Sequence, residues 1–565
     1  MPKKLLISSA ITTTLLAVTA CGGSSSSSNK APTDIQISAN QIDENTAGAI
    51  VGTLTAVDPN SNDTFTFTTT HDSFEIINST LKLKTGIALN YEKTSALEVP
   101  LTVFDQDGLN FSKLVTIEVN DLLDTYKFTN SEGESTVSYS GQITRMVLIE
   151  ELNQFIGSEL QSQLETGALT SRQEVMNKLN SFYEISSEDY DLVADTFMVD
   201  FIEAAEQTNL RQLSSSKKDL FGKIAGNDPV GQHKDWNNGD FEGWGIAGST
   251  TPHELVQTFF GMLADNAQTY LDGNTRTDFN GNEITQIYLT EDGRDLKQLI
   301  QKFLLGAVAF SQGTDDYLDD GTDGKGLETT NILGDDIYTT LEHQWDEGYG
   351  YFGAARDYLE YTDDEIAGKG GREEYSSGRH DSDGNGEFDL NSEVNFGNSV
   401  NAAKRDRGTS ELTVPTDFST NAFNALLNGR KIINDNVGAE LTNEQMTELQ
   451  AQRDIVVEYW EKSISATVIH YINDTLADLN SLETAEFDYS NLAKHWSEMK
   501  GFALNLQFNP HSPLTDAQFT ELHSLLQDAP VVSEADIEQY KTDLMTARGI
   551  LESAYGFDSE NVANW

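Results

Sequence analysis

Cysteine occurs once in 565 residues, as Cys21, which excludes an internal disulfide and leaves packed cores and bound ions to stabilise the fold. Basic residues are scarce as well: 36 Lys and Arg stand against 91 Asp and Glu, a formal net charge of -55. Such a chain offers no basic patch to neutralise phosphates, so nucleic acid is excluded as a partner. No segment after the first twenty residues is apolar for long enough to cross a bilayer. Common catalytic motifs are also missing: there is no G-x-S-x-G elbow, no P-loop and no dinucleotide fingerprint. His253-Glu254-Leu255-Val256-Gln257 starts as a zinc-protease helix would, but Gln257 stands where the second histidine is required. The chain therefore reads as a non-enzyme. Its acids are either cation ligands or groups that keep a surface solvated, and with 91 of them most must be the latter.

At the N-terminus, Lys3 and Lys4 precede an apolar stretch from Leu5 to Val18. This is too short to span a membrane but suits a secretory signal, so residues 1–20 are expected to be removed. Leu16-Ala17-Val18-Thr19-Ala20-Cys21 resembles the bacterial lipobox, which implies that the Cys21 thiol is lipidated and becomes the mature N-terminus. Residues 21–30, with Gly22, Gly23 and the run Ser24 to Ser28, form a flexible tether. Because Gly22 is not aspartate, the same resemblance implies an outer-membrane lipoprotein of the cell envelope, on either face of that membrane, the cell surface included. The membrane is thus a partner through the lipid anchor, and another envelope protein is a further candidate.

Residues 31–122 alternate at period two between turn signals, as in Ile35-Gln36-Ile37, Phe65-Thr66-Phe67 and Val115 to Val119. About seven such strands predict a β-sandwich. Ile42-Asp43-Glu44-Asn45, Leu89-Asn90-Tyr91-Glu92, Val103-Phe104-Asp105-Gln106-Asp107-Gly108 and Val119-Asn120-Asp121 resemble a cadherin-like repeat in order and spacing. That resemblance implies calcium held by Glu44, Glu92, Asp105, Asn120 and Asp121. A metal-free spacer sandwich with solvated acids is the alternative.

From residue 125 to 565 the period changes to near 3.6, which predicts a mainly α, two-lobed helical bundle. Thr442-Asn443-Glu444-Gln445 reads as a capping box ahead of an apolar stripe from Leu449 to Leu479. Two stretches share the pattern W-x-E-x-x-G-aromatic: Trp345 to Tyr351 and Trp496 to Phe502. His343 lies four residues before Glu347 and His495 three before Glu498, so each pair shares a helical face. Histidine with carboxylate suits iron or zinc, and the repeat predicts that both pairs line one cleft. Alternatively, the tryptophans anchor the core and the glycines allow close helix approach. Residues 343–353 and 494–502 resemble a family of bacterial surface lipoproteins. Ala493-Lys494-His495-Trp496-Ser497-Glu498 is similar to the G-x-H-x-x-E signature of imelysin-like envelope proteins, with alanine for the glycine. This implies a role in iron uptake.

Between the helices, Asp381, Asp383, Asn385, Glu387 and Asp389 fall at positions 1, 3, 5, 7 and 9 of an EF-hand-type loop, with Gly386 at 6 and Phe388 at 8. Position 12 is Ser392, and the expected bidentate acid follows one place later as Glu393. Ca²⁺ is the expected ion. Together these features predict a lipid-anchored, calcium-binding envelope protein whose helical domain binds a ligand or metal. An adhesion or matrix protein making calcium-dependent contacts is the first alternative. A metal-dependent hydrolase using Glu347 or Glu498 as base is the second.

Overall fold

The computed structural model describes residues 29–565 except 45, 47, 86, 90, 92, 93, 121, 187–189, 191–203, 229, 322, 323, 410 and 411. The signal segment, Cys21, the tether to residue 28, Glu92 and Asp121 therefore lie outside the described residues. The chain divides into two compact units, with the boundary between Leu123 and Asp124.

The first unit contains strands β1 (Asp34–Ile37), β2 (Gln41–Asp43), β3 (Ile50–Val57), β4 (Phe65–Thr69), β5 (Phe74–Ile77), β6 (Thr80–Leu83), β7 (Ala96–Asp105) and β8 (Asn110–Asn120). They form two four-stranded sheets, ordered β1-β3-β6-β5 and β2-β8-β7-β4. Strands β2 and β8 run parallel, from Gln41↔Glu118 to Asp43↔Asn120, while β7 and β8 are antiparallel from Ala96↔Glu118 to Phe104↔Asn110. Alternation along β7 buries Val99, Leu101 and Val103, which join Leu54, Leu81 and Leu83 of the other sheet in one core. Each such side chain contributes roughly 1.5–3 kcal/mol by leaving water. The short strands β2 and β5 are additions to the pattern expected from sequence.

The second unit is helical around one extended core. The helices used below are α1 (Ser140–Gln154), α2 (Pro252–Leu271), α3 (Leu296–Leu304), α4 (Thr340–Phe352), α5 (Gly397–Asp406), α6 (Phe418–Asn434), α7 (Asn443–Ser481), α8 (Tyr489–Ala503) and α9 (Ile537–Tyr555). Reciprocal capping boxes open α2 at Thr251, α4 at Thr339 and α7 at Thr442, where the Gln445 side chain returns to the Thr442 amide. Helix α4 ends at Gly353, whose φ of 81° is a left-handed conformation that favours glycine. Helices α1 and α3 continue into π-helical turns, Phe155–Glu159 after α1 and Leu305–Phe310 then Gly313–Tyr317 after α3. Residues 276–277 and 283–284 pair as a short hairpin.

Both motif tryptophans lie in this core. The Trp345 indole donates to the Leu426 carbonyl at 2.7 Å, and a Cβ on Gly429 would stand 2.0 Å from the Trp345 ring. Gly429→Ala should therefore cost at least the 1–3 kcal/mol typical of an overfilled core. Urea denaturation with an unchanged slope and a lower midpoint would show it.

Candidate functional site

The loop from Asp381 to Glu393 is closed at its base by an antiparallel bridge between Arg379 and Val394. No helix abuts it directly: the 3₁₀ segment Glu373–Gly378 precedes it and α5 begins at Gly397. Asp381, Asp383 and Glu393 each bring one carboxylate oxygen to within 4.8 Å of the others. The acid displaced to the thirteenth place thus reaches the same centre as the first two ligands. Glu393 is only 2% exposed. Its Oε1 accepts from the Ser382 amide (2.7 Å) and hydroxyl (2.6 Å), and its Oε2 from the Asp389 amide (2.9 Å). Asp381 accepts from the amides of Gly386, Gly384 and Asn385, and these bonds hold its carboxyl below the usual range. Gly386, with φ of 91°, makes the turn.

The other loop candidates are engaged in part elsewhere. Asn385 receives the Glu387 amide and donates to Glu206 and, at 3.2 Å, to Asp383, while Asp389 is occupied by Gln207 and Ser392. No side-chain hydrogen bond of Glu387 is seen among the described residues, and Glu387 is exposed. Phe388 at position 8 pairs through its backbone with Ala204 and Glu206, so the loop is stitched to a distant segment.

The neck of this loop forms one wall of a cavity of about 370 Å³, bounded also by α1, α3, α5, α7 and α8. Its charged lining is Glu150, Lys302, Arg379, Lys404, Arg405 and Glu498. Tyr471 and Phe502 supply aromatic surface. Gln301 donates to both oxygens of Glu150, and Lys302 donates to Gln301 Oε1 at 2.7 Å. Lys302 also lies 3.7 Å from Glu498 Oε1.

The structure gives the two W-x-E-x-x-G copies separate surroundings. His343 donates from Nδ1 to the Ser138 carbonyl at 3.0 Å, and its Nε2 lies 3.8 Å from Glu347. Glu347 accepts from Gln142 of α1 at 2.6 Å. His495 instead donates to Asp478 of α7 at 2.8 Å, and Glu498 opens on the cavity. Among the described residues no group of three potential ligands includes any of these four side chains. The expected common iron or zinc cleft is not what the geometry assembles, because Glu347 is turned toward α1 and Glu498 toward α3.

In the β unit the expected calcium ligands fall at two ends. Glu44, fully buried, accepts from the amides of Tyr91 (2.6 Å) and Leu122 (2.7 Å), and its own amide donates to Asn120. Asp105 lies at the far end of the β7–β8 ladder, a separation of about 30 Å at ~3.3 Å per residue. There it groups with Asp58 and Asp63, which sequence reasoning did not select as ligands. Glu44 and Asn120 thus stand at one end and Asp105 at the other, because an antiparallel hairpin carries Asp105 and Asn120 in opposite directions, while Glu92 and Asp121 lie outside the described residues. Lys404 and Arg405 were also missed. The run Lys404-Arg405-Asp406-Arg407 was the available signal, being a basic cluster in an acidic chain.

Residues 124–365 match the model of a family described as "Domain of unknown function (DUF4856)". This stretch includes α1 to α4 and the first motif copy, and ends before the acidic loop. No curated protein matches the chain. A solved structure named "PcdhgB3 EC1-4 in 50 mM HEPES" is similar at 24% identity over 17% of this chain and 25% of that one, with a TM-score of 0.15. The chain thus spans about a quarter of that structure's length.

The His495–Asp478 pair should be visible in the pH dependence of stability. Burial pushes the imidazole down, but the hydrogen bond and charge of Asp478, with the charge of Asp474, outweigh it, so the pKa stands above the usual 6.5. A raised histidine pKa stabilises fully below the unfolded value, and the contribution fades as pH rises through the folded one. Asp478→Asn should accordingly destabilise more at pH 5.5 than at pH 9, as read by denaturant midpoints.

Proposed function

We propose that this is a lipid-anchored, calcium-binding protein of the cell envelope whose helical part binds a small ligand. The observation that favours this reading is that the neck of the acidic loop, at Arg379 and Val394, is itself a wall of the cavity. Oxygen donors from three side chains, supplemented by backbone carbonyls and water, suit Ca²⁺, which takes six to eight oxygens. Neutralising Asp381, Asp383 and Glu393 with one ion would fix the loop and so the neck below it. The β unit would serve as a spacer between the Cys21 anchor and the helical part, in line with its cadherin-like residues.

Calcium bound to the native loop and not to the unfolded chain stabilises by mass action, about 2.7 kcal/mol at a hundredfold excess over the dissociation constant. Adding Ca²⁺ to chelator-treated protein should therefore raise the melting temperature, and Asp381→Ala combined with Glu393→Gln should diminish the rise. Equal melting curves with and without calcium would refute the site. For the anchor, Cys21→Ser should move the protein from the membrane fraction to the soluble one, since lipidation needs the thiol.

A further inference from the structure

The cavity beside the loop neck reverses the charge balance of the chain. Four cations, Lys302, Arg379, Lys404 and Arg405, line it against two carboxylates, Glu150 and Glu498, whereas the whole sequence has 36 basic residues to 91 acidic. The internal pairings leave part of this charge uncommitted. Glu150 is held by Gln301, and Lys302 is shared between Gln301 and Glu498. Arg405 is different. It is 6% exposed, and its Nε and Nη1 have no hydrogen-bond partner. No carboxylate lies within ion-pair distance of it among the described residues, and burial pushes its pKa down to about 10, so it remains charged near neutrality.

Buried guanidinium N–H groups without acceptors are costly unless something pairs with them. Glu498 is complementary: it is 4% exposed, the Tyr471 hydroxyl lies beside it, and its Oε2 has no partner that meets hydrogen-bond geometry. Lys404, one residue before Arg405 on α5, is exposed at the rim. The faces of Tyr471 and Phe502 complete a wall against which a carbon skeleton can pack.

We infer that this cavity is a binding site for a small organic anion that carries a hydroxyl group, its anionic oxygens meeting Arg405 and Lys404 and its hydroxyl donating to Glu498. Carboxylate and phosphate present the same anionic oxygens to a guanidinium, and the binding experiment separates them. The inference rests on the helical part being ligand-binding. The calcium response of the melting curve does not depend on it, so the two readings fail separately.

Calorimetric titration of the mature protein at low salt, with glycerate, glycerol 3-phosphate and glycerol as probes, tests the site. Binding of glycerate alone assigns a carboxylate ligand, and binding of glycerol 3-phosphate alone a phosphate. In either case added salt should weaken binding, and Arg405→Met should reduce affinity about tenfold or more, the usual scale for a lost charged hydrogen bond. Arg405→Met should also melt no lower than the parent without ligand, since it removes an unpaired buried charge. Lys404→Gln, a change to a neutral side chain at an exposed position, should weaken binding by a smaller factor and decides the matter if Arg405→Met does not fold. The inference is overturned if neither anion binds, if glycerol binds as well as they do, or if Lys404→Gln and a folded Arg405→Met keep full affinity.

Discussion

Arg430 lies wholly out of solvent, 2.9 Å from Glu342 and 2.9 Å from Asp346, with its guanidinium 4.7 Å from the ring centre of Phe128. Two carboxylates one helical turn apart on α4 thus grip a single cation on α6. Asp346 also accepts from the Tyr126 hydroxyl and the Ser138 amide. Taking ions out of water costs several kcal/mol each; the Asp346 hydrogen bond and the Glu342 ion pair, which lacks hydrogen-bond alignment, offset it together. Helix α4 therefore cannot turn about its axis without stranding a charge. That constraint places Trp345 over Gly429 and Gly350 against Tyr139 and Gln142, and it directs Glu347 to Gln142.

The second motif copy is held by different groups. Trp496 donates to the Tyr540 hydroxyl of α9 at 2.9 Å, and a Cβ on Gly501 would stand 2.8 Å from Lys302 Cβ on α3. His495 ties α8 to α7 through Asp478. The same residue pattern thus serves both copies as a packing device, while only the glutamate of the second, Glu498, lines the cavity. Charge follows the same division: Glu347 is satisfied by a neutral amide, and Glu498 keeps one oxygen without a partner that meets hydrogen-bond geometry, beside Arg405 and Lys302.

The local structure was largely legible because it is locally encoded. Thr442 caps α7 as its neighbours Glu444 and Gln445 foretell, and the apolar stripe from Leu449 to Leu479 falls within the helix, Asn443–Ser481. The period-two runs marked six of the eight strands; β2 has only three residues, and Phe74-Glu75-Ile76-Ile77 of β5 does not alternate through its length. The π-helical turns left no signal in the stretch after α3, because Leu305 to Phe310 is apolar or glycine and buried throughout, so it marks no single face whose shift could be read. Convergence was the harder matter. Glu393 could be placed with Asp381 and Asp383 since all three lie in one short loop, but the cavity draws on five helices from Glu150 to Phe502. Equally, the hairpin that separates Asp105 from Asn120 follows from strand direction, which residue spacing does not express.

The fold thus joins an acidic loop, its two-residue neck and a cationic cavity within the helical unit. Ion binding at the loop is the claim on which the functional account rests. A crystal structure of the calcium-loaded protein tests it most directly. The account predicts one ion at roughly 2.3–2.6 Å from oxygens of Asp381, Asp383 and Glu393, with the Arg379–Val394 bridge intact. A calcium-soaked crystal in which these three carboxylates keep only their amide partners and no ion lies between them would contradict it.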